Sequence, residues 1–244
     1  MVRRTLIQLP LAAAVRPRNI AIIAHRGEHL ENPENTLPAV RAAIRAGADY
    51  VELDVPTTKD GALVLMHNAT VDARTNGQGA VRDLTLAQIR ALETGGAQVP
   101  TFEEALAELR GKCGLYLDWK DASANALLDS LRRFCMLSHT VVYGSVAALS
   151  GLRAMEPSIR VMPEAVSAEA LRHTLAALHP SVVAFDRRDF QDGIIAIAKT
   201  AHAGIFVDRL GEDDNEASWR DAIRRGATGI QTDRPAELAA FLRR

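Results

Sequence analysis

The sequence predicts an α/β fold, a (β/α)8 barrel, and three observations carry that expectation. Short β-branched runs alternate with Ala/Leu-rich segments of helical spacing, and eight strand runs follow one another from residue 20 onward. The 244 residues show no composition break and no linker, which suits an α/β barrel of about 200–250 residues in one domain. The first strand run ends in Ala24-His25-Arg26-Gly27, where an open dinucleotide-binding sheet would carry a Gly-rich turn.

The expected strands are 20–24, 50–55, 115–118, 140–143, 160–163, 182–186, 205–208 and 229–232. Runs such as Thr140-Val141-Val142 and Val182-Val183 are short and apolar throughout, as strands covered on both faces require. Helices are expected at 36–46, 124–134, 145–155, 168–178, 191–201, 216–225 and 235–243. Residues 63–110 hold a strand-like run at 63–67, a polar loop, and short helices at 85–92 and 101–109. This stretch fills the second βα position and reads as a small excursion over the top of the sheet. The barrel itself is expected over 20–244.

Composition excludes several classes. Lys and Arg number 29 against 30 Asp and Glu, a net charge of −1. Domains that grip nucleic acid carry a clear basic excess, so none is expected as a partner. A small phosphate-bearing ligand needs only a local field and stays open. Hydrophobic residues at 48% and charged residues at 24% exclude disorder, collagen and coiled coil. Cys113 and Cys135 are too few for a disulfide framework and lack zinc spacing, so they read as two small buried hydrophobes. No run of about 18 apolar residues is present to form a transmembrane segment. Residues 1–19 combine Arg3-Arg4, a mostly apolar stretch from Leu6 to Val15, and Arg16-Pro17-Arg18. That pattern reads as an export leader, placing the protein in the periplasm or outside the cell. The competing reading is a plain extension on a cytoplasmic protein, since Gln8 and Pro10 interrupt the apolar stretch. Nothing in the pattern sets an oligomeric state.

Polar residues recur just past the strand runs: His25, Glu52, Asp54, Asp118, Lys120, Glu164, Asp186, Asp208, Thr232 and Asp233. Barrel strands end on one face, so these distant positions share a site. Glu52 and Asp54 are two apart on one strand and point the same way. Two like carboxylates at one strand end repel unless a cation lies between them. Oxygen-only ligands favour a hard divalent ion, Mg²⁺ or Ca²⁺. His25 and His67 each follow an apolar run, and two imidazoles can accept and deliver a proton in one turnover. Arg26 offers a planar fork for phosphate oxygens, and Lys120 a point charge beside Asp118. Together these groups describe phosphoryl chemistry. No G-x-S-x-G elbow is present as a rival nucleophile. His29, His139, His173, His179 and His202 read as solvated, and Glu164 and Asp186 as either pocket acids or caps.

A series of motifs then narrows the reading. His25-Arg26-Gly27 is followed by Pro33-Glu34-Asn35-Thr36, Gly47-Ala48, Glu52-x-Asp54, Lys59-Asp60-Gly61, His67 and Arg74-Thr75-Asn76-Gly77. Asp83-Leu84-Thr85-Leu86, the run Val99 to Leu106 and Thr232-Asp233-Arg234-Pro235 complete it. In order and spacing the series resembles the glycerophosphodiester phosphodiesterases, (β/α)8 barrels, over nearly all of residues 20–243. The resemblance implies metal-dependent hydrolysis of small glycerophosphodiesters to sn-glycerol 3-phosphate and an alcohol. It implies that Glu52, Asp54 and the acid at 118 hold the metal. It also implies that His25 and His67 form the acid/base pair, while Arg26 and Lys120 grip the phosphate. The family's nucleophile is the substrate's own glycerol hydroxyl, which gives a cyclic phosphate that water opens.

Three departures bear on activity. Asn68 stands where the family carries Asp after the second histidine, which weakens support for a cationic imidazole. Asp118-Trp119-Lys120 replaces a Glu-x-Lys motif, and Asp is one methylene shorter. Phe206-Val207-Asp208-Arg209 stands where a Trp-Thr-Val-Asn motif ends the seventh strand. The expectation is therefore an altered pocket wall in which Phe206 and Asp208 take part and Arg209 adds a polar group. Two alternatives stay open: phospholipase D-like cleavage of a lysophospholipid or sugar phosphodiester, and a degenerate barrel that binds a phosphodiester without turnover.

Overall fold

The computed structural model describes residues 20–244; the segment read as a leader or extension lies outside the described residues. Eight parallel strands form the barrel: β1 (Ala21–Ala24), β2 (Tyr50–Val55), β5 (Gly114–Trp119), β6 (Thr140–Tyr143), β7 (Arg160–Met162), β8 (Val182–Phe185), β9 (Gly204–Asp208) and β10 (Gly229–Thr232). They are hydrogen-bonded in the order β7-β6-β5-β2-β1-β10-β9-β8. The ring closes through Glu164, bridged in parallel to Ala184, with Ala184 N–H donating to Pro163 O at 3.0 Å and Ala165 N–H to Ala184 O at 2.8 Å. The expected (β/α)8 barrel is present.

Around it lie α1 (Leu37–Ala46), α2 (Leu86–Arg90), α3 (Phe102–Leu109), α4 (Ala124–Arg133), α5 (Val146–Met155), α6 (Ala168–Leu178), α7 (Asp192–Thr200), α8 (Glu216–Arg225) and α9 (Pro235–Phe241). Several start one residue later than the sequence pattern predicts, because Thr36, Thr85, Thr101 and Ser145 are caps. Each is extended and accepts a backbone N–H from the first turn through its hydroxyl.

The excursion differs from expectation in two places. Residues 63–67 form no continuous strand; they make single bridges, Thr57 to Leu63 and Val64 to Thr101. Glu93–Thr94 (β3) and Ala97–Gln98 (β4) pair as a hairpin that the sequence reading lacked. Its turn is Gly95-Gly96, both at positive φ, which suits a two-residue hairpin loop. Val64, Met66, Val71, Val81, Ile89 and Val99 give the excursion its own buried cluster, which packs it beneath the residues it presents.

Period-two alternation divides the strands. Ile23, Tyr116, Val141, Met162, Val182, Ala184 and Phe206 fill the barrel interior. The opposite faces pack against helices in two larger clusters, one including Leu53, Leu117 and Phe102, the other Ile22, Val207 and Trp219. Gly229 is required by this packing: a Cβ there would sit 2.5 Å from the Phe206 ring. That places Phe206 low in the barrel, stacked edge-on to Tyr50 with centroids 5.8 Å apart. The carboxylates and imidazoles lie in the layer above it.

Candidate functional site

The upper layer follows from register. Asp54 on β2 pairs with Asp118 on β5, and Glu52 with Tyr116. One ligand atom from each of Glu52, Asp54 and Asp118 lies within 4.8 Å of the others. Glu52 is 3% and Asp54 1% exposed, so the like charges meet out of water. Burial first, then Asp54 and Asp118, holds Glu52 well above the ordinary carboxylate range. Burial likewise raises Asp118. An oxygen-only triad in this state fits a hard divalent cation.

Neighbouring groups fix the acids in place. Arg26 N–H donates to Glu52 Oε2 at 2.8 Å from a left-handed backbone, φ 52°. Asn35 donates through Nδ2 to Asp54 Oδ2 at 2.7 Å and accepts Asp54 N–H at 3.2 Å. Lys120 Nζ lies 3.0 Å from Asp54 Oδ1 and 2.5 Å from Asp118 Oδ2. Burial pulls the Lys120 ammonium down, but the two carboxylates win and raise it. The Arg26 guanidinium is shared between Glu34, at 3.1 Å, and Asp54, at 3.5 Å; Arg74 reaches the same Glu34 at 3.1 Å. Gly27 lets the chain turn under Arg26 at φ +85°, where a Cβ would meet Ala39 Cβ at 2.7 Å.

Both expected histidines reach this centre. Nδ1 of His25 bonds Asp233 Oδ1 at 2.8 Å, and Nδ1 of His67 bonds Asn68 Oδ1 at 2.8 Å. Each acceptor leaves Nε2 as the unprotonated nitrogen of a neutral ring. Asn68 thus does the orienting part of an acid's work without its charge. Burial outweighs the Asp233 hydrogen bond and holds His25 below the ordinary 6.5. His67 is delivered by the excursion, whose Met66 N–H donates to Asp54 O at 3.1 Å. His25, His67 and the three acids line one cavity of about 260 Å³.

The far wall carries Glu164, Asp186 and Asp208. Asp186 accepts from Arg188, and Glu164 from the Tyr143 hydroxyl at 3.1 Å. Burial, then repulsion from Asp186 and Glu164, pushes the Asp208 carboxyl up to about 7. Two expectations fail at this wall. Phe206 is a layer too deep to line the cavity, and Leu210 with Ala184 supplies the apolar lining instead. Arg209 points outward by alternation, its guanidinium 4.9 Å from the Phe190 ring centre.

His29 also departs from the expected solvated state. Its Nδ1 is 2.7 Å from His25 O and its Nε2 3.4 Å from Asp233 Oδ1. Sequence reasoning placed Asp233 among the strand-end acids but missed its role as the His25 partner. Parity was the available signal, since 229, 231 and 233 point inward together. Asn35, Tyr116, Tyr143 and Gln231 were missed as site residues as well; Tyr116 and Gln231 share that inward parity with Asp118 and Asp233.

Fold and site together define a class: a (β/α)8 barrel with an acid-and-imidazole centre at the C-terminal ends of its strands. The profile of the glycerophosphoryl diester phosphodiesterase family matches residues 25–237, and the chain belongs to that family. It is 47% identical over 91 residues to a glycerophosphodiester phosphodiesterase of Caldanaerobacter subterraneus subsp. tengcongensis, covering 34% of this chain and 37% of that one. It is 40% identical over 134 residues to human glycerophosphodiester phosphodiesterase 1, covering 50% and 40%. The chain thus spans about two fifths of the length of these curated relatives. The crystal structure of a glycerophosphodiester phosphodiesterase from Agrobacterium tumefaciens superposes with a TM-score of 0.82 at 31% identity, over 91% of this chain and 99% of that one. An Oleispira antarctica phosphodiesterase in complex with the product sn-glycerol-3-phosphate shares the fold, with a TM-score of 0.82 at 22% identity over 92% and 97%.

Proposed function

We propose that this chain hydrolyses glycerophosphodiesters to sn-glycerol 3-phosphate and an alcohol. One observation carries the reading: two imidazoles, each held through Nδ1, share a cavity with a buried triad of carboxylates. Glu52, Asp54 and Asp118 would hold Mg²⁺ or Ca²⁺, which when bound supplies positive charge against the phosphoryl oxygens. Arg26 and Lys120 border the triad and bring two further cations to the diester.

His25, kept neutral near pH 7 by burial, accepts at Nε2 the proton of the attacking glycerol hydroxyl. That oxygen bonds to phosphorus as the bond to the leaving alcohol breaks, and His67, entering the step as the imidazolium, delivers its Nε2 proton to the departing oxygen and is left neutral. The resulting cyclic phosphate is opened by water with the two roles reversed. Asp233 and Asn68 hold the Nδ1 proton of each ring throughout, so that every proton exchange takes place at Nε2. The wall is dominated by carboxylates, which favours a small headgroup diester over a lysophospholipid. Export of the chain through its first 19 residues belongs to the same reading; N-terminal sequencing of the natural protein checks it.

The test is His25→Ala with a panel of glycerophosphodiesters, scored for sn-glycerol 3-phosphate with Mg²⁺, Ca²⁺ or chelator. General acid–base catalysis is worth about 10²–10⁴-fold, so a loss of that size is expected. Unchanged product release in the variant overturns the mechanism. Metal and diester binding without product, by the wild type over hours, would establish the degenerate barrel instead.

A further inference from the structure

Beyond the phosphodiester centre, the cavity holds polar groups that neither the metal triad nor the histidines use. Gln231 is 6% and Tyr116 5% exposed, and both line the cavity. The Gln231 amide and the Tyr116 hydroxyl make no hydrogen bond among the described residues, and Gln231 Oε1 is sealed from solvent without a partner. Leaving a buried polar group unpaired is unfavourable, so a ligand is the natural source of partners. Gln231 pairs in register with Asp208 on the neighbouring strand, which puts the orphaned amide beside the acidic wall.

The charges of that wall are only partly answered. Lys120 lies on Asp54 and Asp118, Arg26 on Glu34 and Asp54, and Arg188 on Asp186. Glu164 receives only a neutral hydroxyl. The Asp208 side chain has no hydrogen-bond or ion-pair partner among the described residues, and Arg209 is turned away onto Phe190. Two carboxylates therefore face the cavity without a cation. Hydroxyls would fill acceptor sites but leave both charges standing. A quaternary ammonium would neutralise charge but bring no N–H. A primary ammonium does both, with three donors on one positive centre.

We propose that Glu164, Asp208, Gln231 and Tyr116 form a subsite for a primary ammonium on the alcohol half of the substrate. The enzyme is then selective for zwitterionic aminoalcohol diesters. This rests on the phosphodiesterase reading above, and the experiment separates the two.

Calorimetry on the full chain with Mg²⁺ compares O-phosphoethanolamine with propyl phosphate, which carries a methyl group in place of the ammonium. At least tenfold tighter binding of O-phosphoethanolamine is expected, about 1.4 kcal/mol at 25 °C. The preference should fall below threefold in Asp208→Asn. The comparison is a ratio within each protein, so a reduced folded fraction does not distort it. If Asp208→Asn does not fold, Gln231→Leu takes its place, with the same fall expected. Equal affinities in the wild type, or a tenfold preference surviving in the variant, overturn the subsite. In turnover, glycerophosphoethanolamine should exceed glycerophosphoglycerol and glycerophosphocholine at least tenfold in kcat/KM. If no diester is hydrolysed while the calorimetric preference holds, the activity reading fails and the subsite stands. Equal turnover of all three with no calorimetric preference has the reverse meaning.

Discussion

Replacing Asp233 by Asn tests the link between the last strand and the chemistry at the first. Asp233 Oδ1 accepts the His25 Nδ1 proton at 2.8 Å, and its other oxygen accepts Gly211 N–H at 3.2 Å. Asn can satisfy only one of these donors. With its oxygen on Gly211, its amide nitrogen faces His25 Nδ1 and forces the proton to Nε2, the nitrogen that must accept. With its oxygen on His25, a neutral hydrogen bond replaces a charge-assisted one. The second outcome costs the difference between the two bonds, about 1–1.5 kcal/mol, roughly 5- to 13-fold. The first removes the general base and costs about 10²–10⁴-fold. The expected loss in kcat/KM therefore lies between about 5-fold and 10⁴-fold. A pH profile distinguishes positioning from mere support of the fold. Asp233 raises His25 against the effect of burial, so its loss lowers that histidine further. The acid limb of kcat/KM should then move to lower pH. His25→Ala combined with Asp233→Asn should be no worse than His25→Ala alone. Activity within threefold of wild type with an unmoved acid limb would refute this account.

Three further outcomes follow from the same geometry. Asp208 is raised to about 7 from 3.8, so its ionisation destabilises the native state, and the penalty grows as pH rises from 3.8 to 7. Asp208→Asn should therefore melt higher at pH 8 and gain nothing near pH 4. The shift sets a ceiling of about 4 kcal/mol; screening leaves roughly 1–2, or about 2–8 °C in Tm at this chain length. Glu52, raised by burial and its acidic neighbours, loses stability as it ionises, so Glu52→Gln should stabilise chelator-treated protein at pH 8. Added Mg²⁺ or Ca²⁺ should stabilise the wild type by about 2.7 kcal/mol at 100 times Kd, roughly 5–11 °C in Tm, and leave the variant nearly unmoved in the same thermal scan. Gly27→Ala adds a Cβ at φ +85° within 2.7 Å of Ala39. Overpacking and left-handed strain together cost about 2–5 kcal/mol, read as a Tm at least about 4 °C lower.

Local pattern made much of the fold legible. Runs such as 50–55 and 140–143 coincide with β2 and β6, because apolar β-branched residues in short bounded runs suit strands covered on both faces. The excursion was less legible. The Gly95-Gly96 turn is a hairpin signal, yet its strands are only two residues each. The run at 63–67 has strand composition without a continuous partner, so it remains extended with single bridges.

By itself the sequence determined the alternation that builds a barrel, and with it the inward parity that sets Glu52, Asp54 and Asp118 at adjoining strand ends. Period-two geometry does not depend on the rest of the chain. Tertiary structure alone decided which distant groups touch. Asp233 meets His25 across 208 positions because β10 closes against β1. His29 folds back onto the same carboxylate and is not solvated. Depth was equally invisible: Phe206 and Asp208 share a face of β9, yet one packs the barrel and the other lines the cavity. Strand stagger and neighbouring volume set that height, and both are properties of the closed ring rather than of any one segment.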